Sequence, residues 1–503
     1  MKNCLQRLLA CGLLCALLLG VSAPSAAAAR TGFSDVPASH WAAASITRAV
    51  DLGLFQGESK TTFGLGHPMT RAAFTVVLCR FFGWEMAKPE QGTYTDVQNP
   101  AAWYYSAVET AYANGAVTRQ TEKFRPSDAI TREEIAVMLV RALGYGTIAG
   151  LAQELPMPFR DVNANVGYIS MAYELGIISG TSAAAFSPDR TATREQAAVM
   201  LMRLYDKYHA SSIGRIGITT TAEGLTGYEA VAVPAARLVY NGQVQVSIGM
   251  EEETTAAIQT AARASGAAVL LQVTGSTNTL KGASGELAGK IADAVSAGGY
   301  DGVFLDLPKL KFEQRKLLTT LVQALDSALG EKALYVAAEA PVWEGKTYEG
   351  YDYAALGAAA DRLVLRVAPY EQNGGGFPIA PMEPLEEVYY ALAELRGVVP
   401  GEKITLMMTT TGIAWTGGKR GGTPDAAEIA ARLADRETET YYSSRYACAY
   451  LTCAENDRSQ TVVWYLNQEA AAERARMAGF FGVDQVCLSD LSSVSEELLK
   501  GLQ

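Results

Sequence analysis

The sequence predicts two folds in one chain, an array of helical repeats followed by a (β/α)₈ barrel of the TIM type. Two observations predict them. Similar motifs recur about every sixty residues up to Tyr205, which indicates a repeat architecture. From Gly214 onward, short apolar runs alternate with helical stretches, as in a parallel barrel. With 503 residues, the chain is long enough to build more than one full core.

The first 29 residues have the pattern of a secretory signal. Lys2 and Arg7 precede an apolar run at 8–21, and small residues follow at 26–29. The apolar run is short for a membrane span. We therefore expect an exported protein with no membrane span after the signal is removed.

Charge and composition argue against several kinds of function. The formal net charge of −11 disfavours nucleic-acid binding, which requires many cations. Three scattered histidines, His40, His67 and His209, indicate no metal site, and no pattern calls for a cofactor. Cys448 and Cys453 are close enough in sequence to bridge, but buried free thiols are the simpler expectation.

The three repeats share one order of motifs. Each opens with an aromatic residue and Asp-Val, followed by a helix ending at glycine, a turn with a phenylalanine, and a second helix after Thr-Arg. Threonine is a preferred residue at the start of a helix. We expect a helix, a loop and a helix in each repeat, over residues 30–90, 91–150 and 151–208.

These motifs resemble S-layer homology domains across all three repeats. In that family, three units form a pseudo-threefold helical bundle that binds secondary cell-wall polysaccharide, often at a pyruvylated sugar. Arginine offers a planar fork to such a carboxylate, and an aromatic ring offers a flat face to a sugar. The resemblance implies binding roles for Asp35, Trp41 and Arg71, for Asp96, Trp103 and Arg132, and for Arg194.

A structural alternative exists for the same residues. Each aspartate and arginine could simply cap or bridge helices within its own repeat. The third repeat also departs from the pattern, because no tryptophan occupies the place of Trp41 and Trp103. Tyr168 is the candidate substitute there.

The second half, residues 214–503, contains apolar runs of strand length separated by helical stretches. A doubly wound sheet is the alternative to a barrel, but no glycine-rich nucleotide loop follows the first strand. Strands are expected at 216–219, 269–273, 303–307, 334–338, 363–367, 404–408, 462–465 and 486–488. Helices are expected at 254–264, 285–297, 313–329, 385–395, 426–432 and 469–480.

One stretch of this half bears directly on function: Gly-Tyr-Asp-Gly-Val-Phe-Leu-Asp-Leu-Pro at residues 299–308. Asp306 falls near the carboxyl end of the expected strand, where barrel enzymes hold their catalytic groups. The stretch resembles the signature strand of glycoside hydrolase family 18, usually G-Y-D-G-V-x-x-D-x-E. Further segments extend the resemblance, especially to the spore-cortex and germination branch, over most of this half.

The resemblance implies that the final Glu of the signature donates a proton and that the Asp two residues earlier orients the N-acetyl group of the substrate. Here Pro308 occupies the donor position and has no proton to transfer. Phe304 replaces a small polar or acidic residue, and Ser489 replaces the tryptophan that floors the sugar subsite. This pattern predicts a pseudoenzyme, a retained fold without its catalytic acid.

The resemblance places Asp301, Asp306, Tyr370, Glu371 and Trp415 in the barrel pocket. We expect a wall-anchored protein whose barrel binds peptidoglycan or another N-acetylated glycan, or contacts a protein. A weak glycosidase with a relocated acid is the alternative, with fallback catalytic residues Asp306, Glu339 and Glu371. A surface-layer building block with the barrel as a spacer is a third hypothesis.

Overall fold

The computed structural model describes residues 32–208, 213–280, 285–341, 349–367, 379–443, 445–454 and 459–502. The predicted signal therefore lies outside the described residues. The chain divides into two compact units, one with residues up to 139, 158–162 and 172–209, and the other with 140–157, 163–171 and the chain from 210. The domain boundaries expected from sequence stay a prediction. Of the helices described, none is both long and apolar enough to cross a membrane.

The repeat region is helical, with two main helices in each repeat, as predicted. Thr70 Oγ1 accepts a hydrogen bond from Ala73 N at 3.2 Å, which confirms a cap at the start of the second helix. Thr131 and Glu134 form a reciprocal capping box at the equivalent place in the second repeat. The helices are α1 (Ala43–Asp51), α2 (Arg71–Phe82), α3 (Tyr105–Ala113), α4 (Arg132–Ala142), the short α5 (Gly146–Leu151), α6 (Val166–Glu174) and α7 (Arg194–Tyr208).

The second half contains a closed barrel of eight parallel strands, which confirms the predicted fold class. Pairing of the first strand with both the second and the last strand closes the barrel. Around the barrel, the strands are β1 (Gly214–Ile218), β2 (Ala230–Tyr240), β4 (Ala268–Thr274), β5 (Gly302–Asp306), β6 (Ala333–Glu339), β7 (Arg362–Arg366), β8 (Ile404–Met408) and β14 (Gln485–Leu488). A further strand, β3 (Val244–Ile248), pairs antiparallel with the end of β2.

Helices follow the barrel strands, and a small antiparallel sheet is inserted between β8 and β14. The helices are α8 (Glu252–Ala264), α9 (Gly285–Ala297), α10 (Phe312–Leu329), α11 (Tyr353–Ala359), α12 (Leu385–Leu395), α13 (Ala426–Leu433), α14 (Gln468–Phe480) and α15 (Glu496–Lys500). The inserted sheet has the order β10-β9-β13-β12-β11. Its strands are β9 (Ile413–Thr416), β10 (Lys419–Arg420), β11 (Glu439–Ser443), β12 (Cys448–Ala454) and β13 (Gln460–Tyr465).

The prediction of the barrel strands was wrong at two places. It omitted β2, because Pro234 interrupts an otherwise apolar run and proline removes a donor from a sheet. The structure accommodates Pro234 with a register shift between Val233 and Ala236 in the pairing with β4. The expected strand at 462–465 exists within β13, but it belongs to the inserted antiparallel sheet and not to the barrel.

Cys448 and Cys453 do not bridge. Both lie on β12, and a separation of five residues along one strand places them roughly 17 Å apart. A disulfide requires Cα atoms within about 7 Å. Both thiols are free, and Cys448 is buried.

Candidate functional site

Each repeat aspartate holds the turn of its own repeat. The carboxylate accepts hydrogen bonds from backbone N–H groups at the turn phenylalanine and the residues after it. The donors are Phe63, Gly64 and Leu65 for Asp35, Phe124 and Arg125 for Asp96, and Phe186 and Ser187 for Asp161, all at 2.7–3.0 Å. These contacts give the three aspartates a structural role within one repeat.

The repeat arginines connect different repeats in a cycle. Each Nε donates to the carbonyl oxygen of the turn phenylalanine of the following repeat at 2.9 Å, and the third repeat returns to the first. Each guanidinium carbon also lies 4.7–4.9 Å from the centroid of the same phenylalanine ring, a cation–π contact. The pairs are Arg71 with Phe124, Arg132 with Phe186 and Arg194 with Phe63.

Each guanidinium also makes a further contact through one of its terminal nitrogens. Arg71 Nη1 lies 2.8 Å from Glu134 Oε1, and Arg132 Nη2 donates to Ser179 O at 2.7 Å. Arg194 Nη2 donates to Gln56 O at 2.6 Å. Burial lowers the pKa of both Arg132 and Arg194. The arginines thus bridge between repeats rather than within one, and a role in ligand binding stays a prediction for them.

The two repeat tryptophans are, in contrast, open to solvent. Trp41 is 62% exposed and Trp103 is 66% exposed. Exposed aromatic rings of this kind commonly mark interaction sites. In the third repeat, Tyr168 is partly buried, and the Arg141 guanidinium lies 4.9 Å from its ring centroid. Tyr168 is therefore less available than either tryptophan.

We expect acid to destabilise the repeats. Burial raises the pKa of Asp35 and Glu134, but backbone N–H donors, with arginines as well for Glu134, bring both pKa values below their ordinary 3.8 and 4.5. Backbone donors similarly lower the pKa of Asp161. Because these pKa values are lower in the folded state than in the unfolded state, the stabilisation is complete above the ordinary values and is lost as the pH falls below them.

Thermal unfolding of the 30–208 fragment, followed by circular dichroism, checks this expectation. The melting temperature should fall between about pH 5 and pH 3, and an Asp35→Asn variant should show a shallower fall. A melting temperature that rises or stays constant over this range would contradict the proposed contribution of these carboxylates.

A second prediction concerns the arginine fork. An Arg71→Lys, Arg132→Lys variant should bind purified wall polysaccharide roughly tenfold more weakly, because lysine is a point charge without a planar fork. It should also melt earlier, because lysine cannot both stack on the phenylalanine ring and donate to its carbonyl. Arg80→Lys, at an exposed position on α2, is the matched control. Unchanged binding alongside a lower melting temperature would make these arginines purely structural.

The second candidate site lies at the carboxyl end of the barrel strands. One interior layer is apolar and includes Leu270, Phe304, Ala337, Val364 and Cys487. Phe304 is fully buried in it, so this side chain fills the barrel below the opening. The side chains two positions further along each strand face the same way, toward the opening. We call these five residues the mouth ring: Gln272, Asp306, Glu339, Arg366 and Ser489.

A single guanidinium joins the two carboxylates of the mouth ring. Arg366 Nη2 donates to Asp306 Oδ1 at 2.7 Å, and Nη1 donates to Glu339 Oε1 at 3.2 Å. Burial lowers the pKa of Arg366, but the charges of Asp306 and Glu339 outweigh it, so that the pKa lies above its ordinary value. Arg366 is therefore a permanent cation between the two acids.

Glu339 is engaged on both oxygens. Its Oε1 also accepts a hydrogen bond from Lys309 N at 3.1 Å, and its Oε2 is paired with the Tyr351 hydroxyl. Burial, and then the charge of Glu339, raise the pKa of Tyr351. Only 5% of the Glu339 side chain is exposed. Neighbouring groups of the protein therefore occupy both carboxylate oxygens of Glu339.

The other acid and its neighbours complete the mouth ring. Gln272 Nε2 donates to Asp306 Oδ2 at 3.2 Å, so both oxygens of Asp306 are also engaged. Gln272 Oε1 is buried and has no partner among the described residues. Ser489 Oγ accepts from Thr410 N at 3.1 Å and offers no flat surface to a sugar.

Two other residues proposed from the sequence lie away from the mouth ring. Asp301 precedes β5 at the opposite end of the barrel, where it accepts from Val269 N at 2.8 Å, so the structure does not bring it together with Asp306. Trp415 is buried in the core of the inserted sheet, with its indole N–H donating to Ala380 O at 3.0 Å. Tyr370 and Glu371 lie outside the described residues.

Sequence reasoning missed Arg366 and Gln272. Arg366 ends an apolar strand at the same end of the barrel as Asp306, and a charge there needs a counter-charge. Gln272 is a polar residue inside the apolar strand β4. In the sequence, both residues are visible as polar positions within otherwise apolar strands.

Comparison with known proteins agrees with this division of the chain. Residues 32–75, 93–136 and 158–198 match the S-layer homology domain. An endoglucanase of Bacillus sp. (strain KSM-635) is 33% identical over 198 residues, 36% of this chain and 20% of that protein. An S-layer protein of Bacillus thuringiensis subsp. finitimus is 27% identical over 215 residues, 42% of this chain and 26% of that protein. This chain therefore spans a fifth to about a quarter of the length of these relatives.

The structural comparison concerns the barrel fold. The spore cortex-lytic enzyme SleL of Bacillus cereus superimposes with a TM-score of 0.51 at 15% identity, covering 66% of this chain and 82% of that structure. At this identity the likeness confirms the (β/α)₈ barrel fold alone. The assignment of the amino-terminal half rests on the three segments that match the S-layer homology domain. Its repeats are S-layer homology domains, and they identify this chain as a cell-surface protein anchored at the S-layer or cell wall.

Proposed function

We propose that this chain is exported, is held at the wall by its repeats through secondary cell-wall polysaccharide, and presents a barrel that binds an amino-sugar glycan without hydrolysing it. Peptidoglycan and related N-acetylated glycans are the ligands that the resemblance of the barrel implies. The observation that carries the proposal is the mouth ring, in which Arg366 pairs with both carboxylates while Pro308 occupies the donor position.

Absence of catalysis follows from what a glycosidase requires. A general acid must hold a proton within hydrogen-bond reach of the leaving oxygen. Pro308 has no such proton, and Glu339 accepts hydrogen bonds on both oxygens. Asp306, the residue expected to orient the substrate amide, is held by Arg366 and Gln272 instead.

A weak glycosidase remains the second candidate because one observation favours it. Glu339 and Asp306 both lie at the barrel opening and contact the same guanidinium. Most glycosidases use a pair of nearby carboxyl side chains for hydrolysis. For this candidate, Glu339 or Glu371 would act as the relocated acid.

Sedimentation with purified cell walls tests the anchoring part of the proposal. We expect the 30–208 fragment to sediment with walls and to lose this binding on walls stripped of secondary polysaccharide. A Trp41→Ala, Trp103→Ala variant should bind at least tenfold more weakly, as expected for the loss of aromatic contacts at a binding site. Leu52→Ala removes another exposed apolar side chain and is the control. Equal retention on stripped walls would show that the repeats bind peptidoglycan itself.

A further inference from the structure

The charges of the mouth ring do not balance. Asp306 and Glu339 contribute two carboxylates, and Arg366 contributes one guanidinium, so the ring as described has a net charge of −1. The two carboxylates are only 13% and 5% exposed, so water screens this charge less than it screens a surface charge. A ligand that brings a positive charge to the ring would compensate it.

One hydrogen-bond acceptor of the ring has no donor among the described residues. Gln272 is 4% exposed, and its Oε1 has no partner among the described residues, while its Nε2 donates to Asp306. Buried acceptors of this kind are normally satisfied by protein or by ordered water. Within the part of the chain that the structure describes, there is no cluster of side chains that could hold a metal ion. A ligand that donates a hydrogen bond to the ring would satisfy Gln272 Oε1.

We infer that the barrel mouth prefers a de-N-acetylated amino sugar, whose ammonium group is both cationic and a donor, over the N-acetylated sugar. The inference rests on the proposed function of the barrel as an amino-sugar-binding domain. An ammonium group near Asp306 and Gln272 would supply the positive charge and the donor together. An N-acetyl group brings one N–H donor but no charge, and its methyl group would meet a polar ring.

The test compares binding of glucosamine and N-acetylglucosamine oligomers of equal length to the full chain after signal removal, by calorimetry at fixed ionic strength. We expect the glucosamine oligomer to bind about tenfold more tightly, the size of effect that one added ion contact gives. Asp306→Asn should reduce this preference to about twofold or less, because it makes the ring neutral.

A matched variant separates this preference from general attraction of a cation to an acidic protein. Glu331→Gln removes one exposed carboxylate from the turn before β6, at the opposite end of the barrel, and should leave the preference unchanged. An equal loss in Asp306→Asn and Glu331→Gln would overturn the inference. The wild-type comparison needs no variant and stands even if Asp306→Asn folds poorly.

The outcomes also distinguish the inference from the function on which it rests. Equal or tighter binding of the N-acetylglucosamine oligomer would overturn the inference and leave glycan binding intact. Binding of neither oligomer would overturn both the inference and the proposed glycan-binding role of the barrel.

Discussion

Replacing Arg366 with methionine should destabilise the barrel by about 3 kcal/mol, near the lower end of the range for breaking a buried ion pair. The reason is that Asp306 and Glu339 would lose their shared cation while staying largely buried. We expect a loss near the lower end of this range because 25% of the Arg366 side chain is exposed to solvent. Hydrogen exchange of β5, β6 and β7 peptides in the full chain measures this loss for the barrel alone.

Two further variants make the result specific to the mouth ring. Arg362→Met breaks an ion pair with Asp484, whose side chain is 52% exposed, and should cost at most about 1 kcal/mol. Adding Asp306→Asn and Glu339→Gln to Arg366→Met removes the unpaired charges and should recover much of the loss. An Arg366→Met barrel as stable as the wild type would show that the carboxylates do not depend on this cation.

The second prediction with a large expected effect concerns the general acid that Pro308 replaces. Pro308→Glu restores a carboxylic acid at the donor position, which typically contributes on the order of 10²–10⁴ in rate in a competent site. Here it should give little activity by itself, because Arg366 and Gln272 occupy the oxygens of Asp306 and Ser489 provides no aromatic floor. Adding Ser489→Trp should give more turnover than either change alone.

The measurement is release of reducing ends from chitin oligomers, with Pro308→Gln as a control that has a similar shape but no acid. Activity that appears in Pro308→Glu and is absent in Pro308→Gln would come from the restored proton donor. Full glycosidase activity in Pro308→Glu alone would contradict the view that the mouth ring has also lost its ability to orient a substrate.

Much of the fold could be predicted because its signals are local. The recurring Asp-Val and Thr-Arg motifs identified the helical repeats, and apolar runs located seven of the eight barrel strands. The eighth, β2, was hidden by Pro234, which a bulge accommodates. The run at 462–465 has the pattern of a barrel strand, but a strand pattern does not reveal which sheet the strand joins.

Side-chain partners were harder to predict because they depend on contacts distant in sequence. The cycle of Arg71, Arg132 and Arg194 closes over the whole array, with Arg194 contacting Phe63, and no single repeat shows this. Trp415 looked like a pocket residue until its burial in the inserted sheet was visible. Asp301 could have been excluded from sequence, since it precedes the strand that Asp306 ends.

The most direct test of the central claim is turnover by the unmodified chain. Incubated with peptidoglycan and with chitin oligomers, the full chain after signal removal should bind glycan and release no reducing ends above a buffer control. Turnover that is clear in the wild type and lost in Glu339→Gln would contradict the claim and make Glu339 the relocated proton donor.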